Sequence, residues 1–362
     1  MAALLKDVYN LQYMAHVADC VQRHYSDFNK TAFLNAIFDT DWQNKELKAR
    51  TIHIAVQLNA YIAFDYLPTL AVIEKIAPHF TSYQGMFVPA FVEIYGLDYF
   101  PESIAALSYI TQFSSAEFAV RPFIVKYPQA MHSILLQWSV SDNEHIRRLS
   151  SEGARPRLPW AMALPEFKKD PVYLLPILEN LKADLSEYVR RSVANNLNDI
   201  AKDHPQLVTD IAAKWLVENK TIQTQRLVKH ACRSLLKQAD PSALALFGFL
   251  PPKEIEVNDF NCEQQVRLGE LLHFSFALQH KRNSTLDKLR IEFAIDFMKS
   301  NGKQARKIFQ LSESMINQNN KTFTKSFNFK AISTRKYYCG LHRLAILVNG
   351  VELSHRDFTL VA

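Results

Sequence analysis

Over residues 1–250 the apolar positions recur every three to four residues, the spacing of helices that bury one face. The pattern predicts helices over 4–24, 44–66, 67–80, 101–109, 114–126 and 129–140. Pro101 suits the first turn of its helix, and Pro128 breaks the chain after the fifth. Beyond this point the sequence begins to repeat. Ile146-Arg147-Arg148, Val189-Arg190-Arg191 and Val228-Lys229-His230 stand 43 and 39 residues apart, and Val120-Arg121-Pro122 is a weaker copy 26 residues upstream. An apolar residue followed by a basic one, near the start of paired helices at about 40-residue spacing, is the pattern of HEAT-like repeats. A helix pair cannot bury its apolar face alone, so pairs stack into a solenoid. The register puts Arg121, Arg148 and Arg191 on one face, and gives the first arginine of the motif, Arg147 and Arg190, a bonding role within the solenoid.

After Pro251-Pro252 the period falls from about 3.6 to two. Strands are predicted over 254–257, 270–279, 286–297, 306–311, 321–331, 337–348 and 351–361. The alternation is plainest in His273-Phe274-Ser275-Phe276-Ala277-Leu278. Asn349-Gly350 between two runs is a hairpin signal, because both residues tolerate positive φ. About seven short strands in about 110 residues predict an immunoglobulin-like sandwich, with a small barrel as the alternative. The expected fold class is therefore mainly α: a HEAT-like α-solenoid over 1–250, then a smaller all-β immunoglobulin-like sandwich over 251–362.

Composition narrows the chemistry. The chain has 362 residues, 48% of them hydrophobic, and only 8 glycines. Its four cysteines, Cys20, Cys232, Cys262 and Cys339, have neither zinc-ligand nor disulfide-framework spacing. No uninterrupted apolar run is long enough to span a bilayer, and no signal-peptide pattern opens the chain. A cytoplasmic protein without a membrane partner is expected. Gly-rich phosphate loops, nucleophile elbows and His/Cys ligand sets are not found, which argues against kinases, dehydrogenases and thiol enzymes. Neither metal nor small-molecule cofactor is expected. Net charge is +6, and residues 251–362 carry 17 Lys+Arg against 11 Asp+Glu, so the whole surplus lies there. A polyanion partner for that module follows, with an ordinary basic surface as the other reading.

One stretch concentrates functional groups. Between Asn143 and Ala161 lie Arg147, Arg148, Arg155, Arg157, the carboxylate Glu152 and the indole Trp160. Asp142 or Asn143 can cap a helix here, and Gly153, Pro156 and Pro159 end it. Two further acids belong with Glu152: Glu117, one turn before Arg121, and Asp199, late in the next repeat. Each alone reads as a surface carboxylate paired to an arginine. Together, acids in a groove meant for phosphate weaken binding unless they take part in a reaction. Breaking an N-glycosidic bond builds positive charge on the sugar, which a carboxylate near C1′ stabilises while it orients or deprotonates water. Arginines would hold the phosphates. Trp160 suits stacking on a base or half-burial in a core; Trp42, Trp138 and Trp215 sit in core-like apolar patterns.

The segments SSAEFAVRPFIVKYP, NEHIRRLSSEGARPRLPWA and SEYVRRSVANNLNDIAKDHP resemble the AlkC-type bacterial DNA glycosylases, relatives of the AlkD type, most specifically over residues 100–240. The resemblance implies a monofunctional glycosylase that removes cationic N3-alkylated bases, chiefly 3-methyladenine and 3-methylcytosine, from duplex DNA without deep base flipping. It makes Glu117, Glu152 and Asp199 the catalytic acids, sets Trp160 beside them, and gives Arg148 and Arg155 to the DNA. Arg121, Arg157 and Arg191 extend the expected DNA-binding set. The immunoglobulin-like module resembles an extension found in part of the family. Its candidate phosphate contacts are Lys281, Arg282, Lys288, Arg306, Lys307, Arg335 and Lys336. A monomer acting on alkylated double-stranded DNA is expected; the competing reading is a non-catalytic repeat scaffold for nucleic acid or an acidic protein.

Overall fold

The computed structural model describes residues 4–331 and 336–362. Arg335, one of the expected phosphate contacts, lies outside them. The chain forms two compact units, Met1–Asp203 with Asn219–Ala231, and His204–Glu218 with Cys232–Ala362.

The first unit is helical. Its boundaries follow local chemistry: Asn10 Oδ1 accepts from the Tyr13 N–H at 2.9 Å and opens Leu11–Gln22, and Asn29 does the same for Lys30–Ile37. Pro101 and Pro128 sit in first turns, where a missing N–H costs nothing. Several helices escape the periodicity, Lys30–Ile37 and Phe87–Tyr95 among them. Lys30–Ile37 is short, and Phe87–Tyr95 is buried continuously from Phe87 to Val92, so it has no polar face to reveal a period. The helix expected over 114–126 is shorter than its sequence suggests. Only Arg121–Lys126 is helical, and the residues before it form turns. Glu117 and Arg121 consequently share no helix face.

Two repeats carry the motif near the helix start as expected, whereas Val228-Lys229-His230 falls in the last turn of its helix. The helices Glu144–Glu152, Glu187–Ile200 and Ile222–Ala231 pack side by side. The first arginine of each motif clamps the loop ahead of its own helix: Arg147 Nη1 donates to the Ser141 and Asp142 carbonyls, and Arg190 Nη1 to those of Asp184 and Leu185. Arg147 also ties to the next repeat through Asp184, Nε to Oδ2 at 2.6 Å. A polar seam joins the two helices, with Ser192 Oγ bonded to Ser151 Oγ at 3.0 Å and Asn196 Nδ2 to the Ser151 carbonyl at 2.8 Å. Trp42, Trp138 and Trp215 are buried, as the apolar pattern predicts.

The second unit combines helices with a sandwich that has, among the described residues, eight strands: β1 (Ile255–Cys262), β2 (Gln265–Arg267), β3 (Leu271–His280), β4 (Asp287–Met298), β5 (Gln304–Ile316), β6 (Asn320–Asn328), β7 (Gly340–Val348) and β8 (Val351–Val361). One sheet runs β1-β3-β6 and the other β2-β8-β7-β4-β5. The alternating residues Leu272, Phe274, Phe276 and Leu278 of β3 meet Leu289, Ile291, Phe293 and Ile295 of β4 in one core. The three-residue β2, parallel to β8, is too short to leave a period in the sequence. Strand β5 extends beyond the predicted 306–311 because its polar half, Ser312 to Met315, pairs with β4 while partly exposed. At the β7–β8 turn Asn349 and Gly350 have φ of 47° and 79°, as a two-residue hairpin requires.

Candidate active site

The stretch 143–161 is a helix, a turn and a loop, built as follows. Asn143 Oδ1 caps the helix by accepting from the His145 N–H at 2.9 Å. Gly153 follows in right-handed geometry (φ −62°), so its role differs from a left-handed stop. A Cβ there would lie 2.5 Å from Val120 Cγ1. Glycine lets the helix end press against the segment carrying Glu117. The loop beyond is held from beneath by Arg121, whose Nη1 donates to the Gly153 and Arg155 carbonyls, both at 2.8 Å, and whose Nε donates to Met162 O at 2.7 Å.

Arg121 therefore departs from expectation. It is 0% exposed and reaches no phosphate. With Pro122 in its first turn, its helix starts three positions later in the motif than those at Glu144 and Glu187, and the side chain points into the protein. Burial, with Arg155 alongside, pulls its guanidinium down to about 10. Arg155 also differs from the expected free phosphate ligand. It is buried, with Nη1 on Glu152 Oε1 at 2.7 Å and Nε on Asp199 Oδ2 at 2.9 Å. Arg157 pairs through Nη2 with both oxygens of Asp203, at 2.6 and 2.8 Å.

The three predicted acids are joined through these arginines. Arg148 Nη1 donates to Glu117 Oε2 at 2.9 Å and to Ser115 Oγ, and its Nη2 lies 3.7 Å from Glu152 Oε1. Burial pulls the Arg148 guanidinium down, but Glu117 and Glu152 outweigh it and hold it above its usual range. Arg155 continues the chain from Glu152 to Asp199, where Lys202 Nζ takes the other oxygen, Oδ1, at 3.0 Å. Three carboxylates thus alternate with two arginines. Glu152 receives both guanidinium groups on the same atom, Oε1. Asp199 is 1% exposed with both oxygens bonded, the environment of an orienting acid.

Glu117, Arg148, Glu152, Arg155 and Trp160 line one cavity of about 620 Å³. Trp160 is 70% exposed on its rim, which settles its case against a core indole. Phe118 and Tyr188 are among the walls that sequence reasoning missed. Tyr188 lies 4.6 Å below the Arg148 guanidinium, a cation–π contact. The repeat offset held the clue: 43 residues separate His145 from Tyr188, and their rings meet edge-to-face at 5.8 Å. The same offset relates Glu152 to Asn195, which bonds His230 Nε2 at 3.0 Å. Arg191 is exposed and lines an adjoining groove of about 480 Å³ with Arg148, Glu187, Tyr188 and Asn195.

In the second unit Lys281, Arg282, Lys288, Lys307 and Lys336 are exposed. Arg282 pairs loosely with Glu254 at 3.3 Å, and Lys288 lies over the Phe249 ring. Arg306 is different: it bridges Asp296 and Glu352, each at 2.8 Å, so its charge is already neutralised. Among the described residues no cluster of three or more His, Cys, Asp or Glu is arranged to hold a metal. No single helix among them is long and apolar enough to cross a membrane.

Residues 256–362 match the family described as "Uncharacterised protein YhaZ, C-terminal Ig-like domain". The whole chain is 43% identical to "Uncharacterized protein YhaZ" of Bacillus subtilis (strain 168), covering 98% of both. Among solved structures, the alkylpurine DNA glycosylase AlkC of Pseudomonas fluorescens, bound to DNA containing an abasic site analog, matches with a TM-score of 0.94 and 37% identity, over 99% of this chain and 100% of that one. The acid–arginine cavity thus sits in a fold shared end to end with that enzyme, and the chain belongs to the AlkC family of DNA glycosylases.

Proposed function

We propose that the protein hydrolyses the N-glycosidic bond of cationic N3-alkylated bases, 3-methyladenine and 3-methylcytosine, in duplex DNA. The observation that carries this reading is the convergence of Glu117 and Glu152 on Arg148 at the wall of the cavity that Trp160 borders. A cationic base leaves as a neutral one, so no acid is needed to protonate it. The remaining tasks are to stabilise an oxocarbenium-like sugar and to supply water, and carboxylates do both. Because Arg155 bonds Oε1 of Glu152 and Arg148 pairs with that same atom, we assign its Oε2 to the attacking water, whose proton it accepts. Glu117 supports the developing charge, and Asp199 orients Arg155. The rim position of the exposed Trp160 favours contact with a lesion that is not carried into a deep pocket. The product is an abasic site with its backbone intact, and the enzyme acts as a monomer. Arg148 and Arg191 on the helical unit, with Lys281, Arg282, Lys307 and Lys336 on the sandwich unit, are assigned to DNA.

The test is release of 3-methyladenine and 3-methylcytosine from alkylated duplex DNA, with the strand assayed for nicking. Base release without nicking is expected from the wild type and its loss from Glu117→Gln/Glu152→Gln. Undiminished release by the double variant would overturn the assignment. DNA binding without any release would instead leave a non-catalytic scaffold.

A further inference from the structure

We propose that Lys48 is a positioning residue for Trp160, fixing the tip of the loop so that the indole stays on the cavity rim. The inference rests on the reading of Trp160 as the residue that borders the lesion.

Lys48 belongs to the helix Leu47–Ile62, 112 residues earlier in the chain, and its Nζ donates to the Trp160 carbonyl at 3.0 Å. The same ammonium stands 5.5 Å from the ring centroid of Phe118, a neighbouring wall of the cavity. Trp160 has φ of 66°, a left-handed backbone that bulky residues rarely adopt. Such a conformation persists only where the surroundings over-determine it. The base of the loop is over-determined: Arg121 bonds the Gly153, Arg155 and Met162 carbonyls, and the Leu164 N–H donates to Pro156 O at 3.2 Å. At the tip the Ala161 N–H makes a longer bond to Leu158 O, 3.3 Å. The charged bond from Lys48 falls on the strained residue itself. Without it, the peptide after Trp160 can turn over and φ can return to negative values, which swings the indole off the rim.

The experiment compares full-length wild type, Lys48→Met, Lys48→Arg, Trp160→Ala and the Lys48→Met/Trp160→Ala double variant. Trp160→Phe supplies the fluorescence of the three core indoles, so that subtraction isolates Trp160. In Lys48→Met the Trp160 anisotropy is expected to fall, and in Lys48→Arg to recover. Single-turnover release of 3-methyladenine is expected to slow about tenfold in Lys48→Met, the scale of one hydrogen bond to a charged group. The double variant should be no slower than Trp160→Ala alone. Unchanged anisotropy in Lys48→Met overturns the proposal. So does an additive loss in the double variant, which would make Lys48 an independent DNA contact. If Trp160→Ala releases base at the wild-type rate, the lesion-bordering reading has failed, and anisotropy alone then decides for or against Lys48.

Discussion

Arg155 and Glu152 are three residues apart and share a 2.7 Å ion pair in the protein interior, with the far side of the same guanidinium on Asp199. Removing one partner of such a buried pair leaves an uncompensated charge and costs about 3–5 kcal/mol. Arg155→Ala is therefore expected to lower unfolding stability by that amount, and by less in a Glu152→Gln/Asp199→Asn background where no charge is stranded. Denaturant titration of the four proteins checks this. Glu152→Gln alone should fold, bind DNA at least as tightly, and lose about 10²–10³ in single-turnover rate.

Gly153 permits a contact rather than a backbone shape. Gly153→Ala keeps a legal φ but drives its methyl into Val120, at 2.5 Å from Cγ1. The expected penalty is about 1–3 kcal/mol from overpacking. Val120→Ala in the same chain should relieve it in part. Equal destabilisation with and without the second change would locate the strain elsewhere.

The exposed cations of the sandwich unit are expected to act through phosphate. Replacing Lys281, Arg282 and Lys336 by Gln should flatten the dependence of log affinity on log salt by about 0.9 for each phosphate that is no longer neutralised. Arg306→Gln should leave the slope unchanged, because Asp296 and Glu352 already hold that guanidinium. Point substitution is preferable to deletion from residue 251. The second unit includes the helix Pro241–Leu246, and the Asn349 side chain donates to the Leu250 carbonyl at 2.7 Å.

His342 is 0% exposed among Phe297, Phe329 and Phe358, with Nδ1 on the Gly340 carbonyl at 3.0 Å. Burial holds its imidazole below the usual range, outweighing that bond. The unfolded chain then binds the proton more readily than the folded one, so stability is full above the ordinary histidine value near 6.5. It falls as pH drops from there toward the depressed folded value. Thermal unfolding monitored at pH 8, 6 and 5 should show this loss, and His342→Phe should reduce it.

Much of the fold was legible because its periods are clean. The 43-residue register, the clamp role of Arg147 and Arg190 and the Asn349-Gly350 hairpin all follow from local pattern. What escaped was set by tertiary packing. Phe87–Tyr95 is buried without interruption through Val92, and β2 pairs over only three residues. Glu152, Glu117 and Trp160, which line one cavity, were singled out by their chemical type and by the family resemblance. Spacing placed Arg121, and the resemblance Arg155, with the DNA, and neither can tell an arginine facing phosphate from one satisfied by carbonyls or buried acids. Lys48 reaches the Trp160 loop, and Tyr188 the cavity, from distant segments, and only the folding of the chain brings them there.

The clamps at Arg147 and Arg190 grip backbone ahead of their helices, whereas the neighbouring positions, Arg148 and Arg191, look outward into the cavity and groove. Assembly and reactivity are thus written on adjacent letters of one motif. The acid at Glu152 becomes Asn195 one register later while the clamp is retained. A modular chain of this kind can place an acid in one of its units and an amide in the next by editing a single letter, while the clamp that orders each loop stays in place.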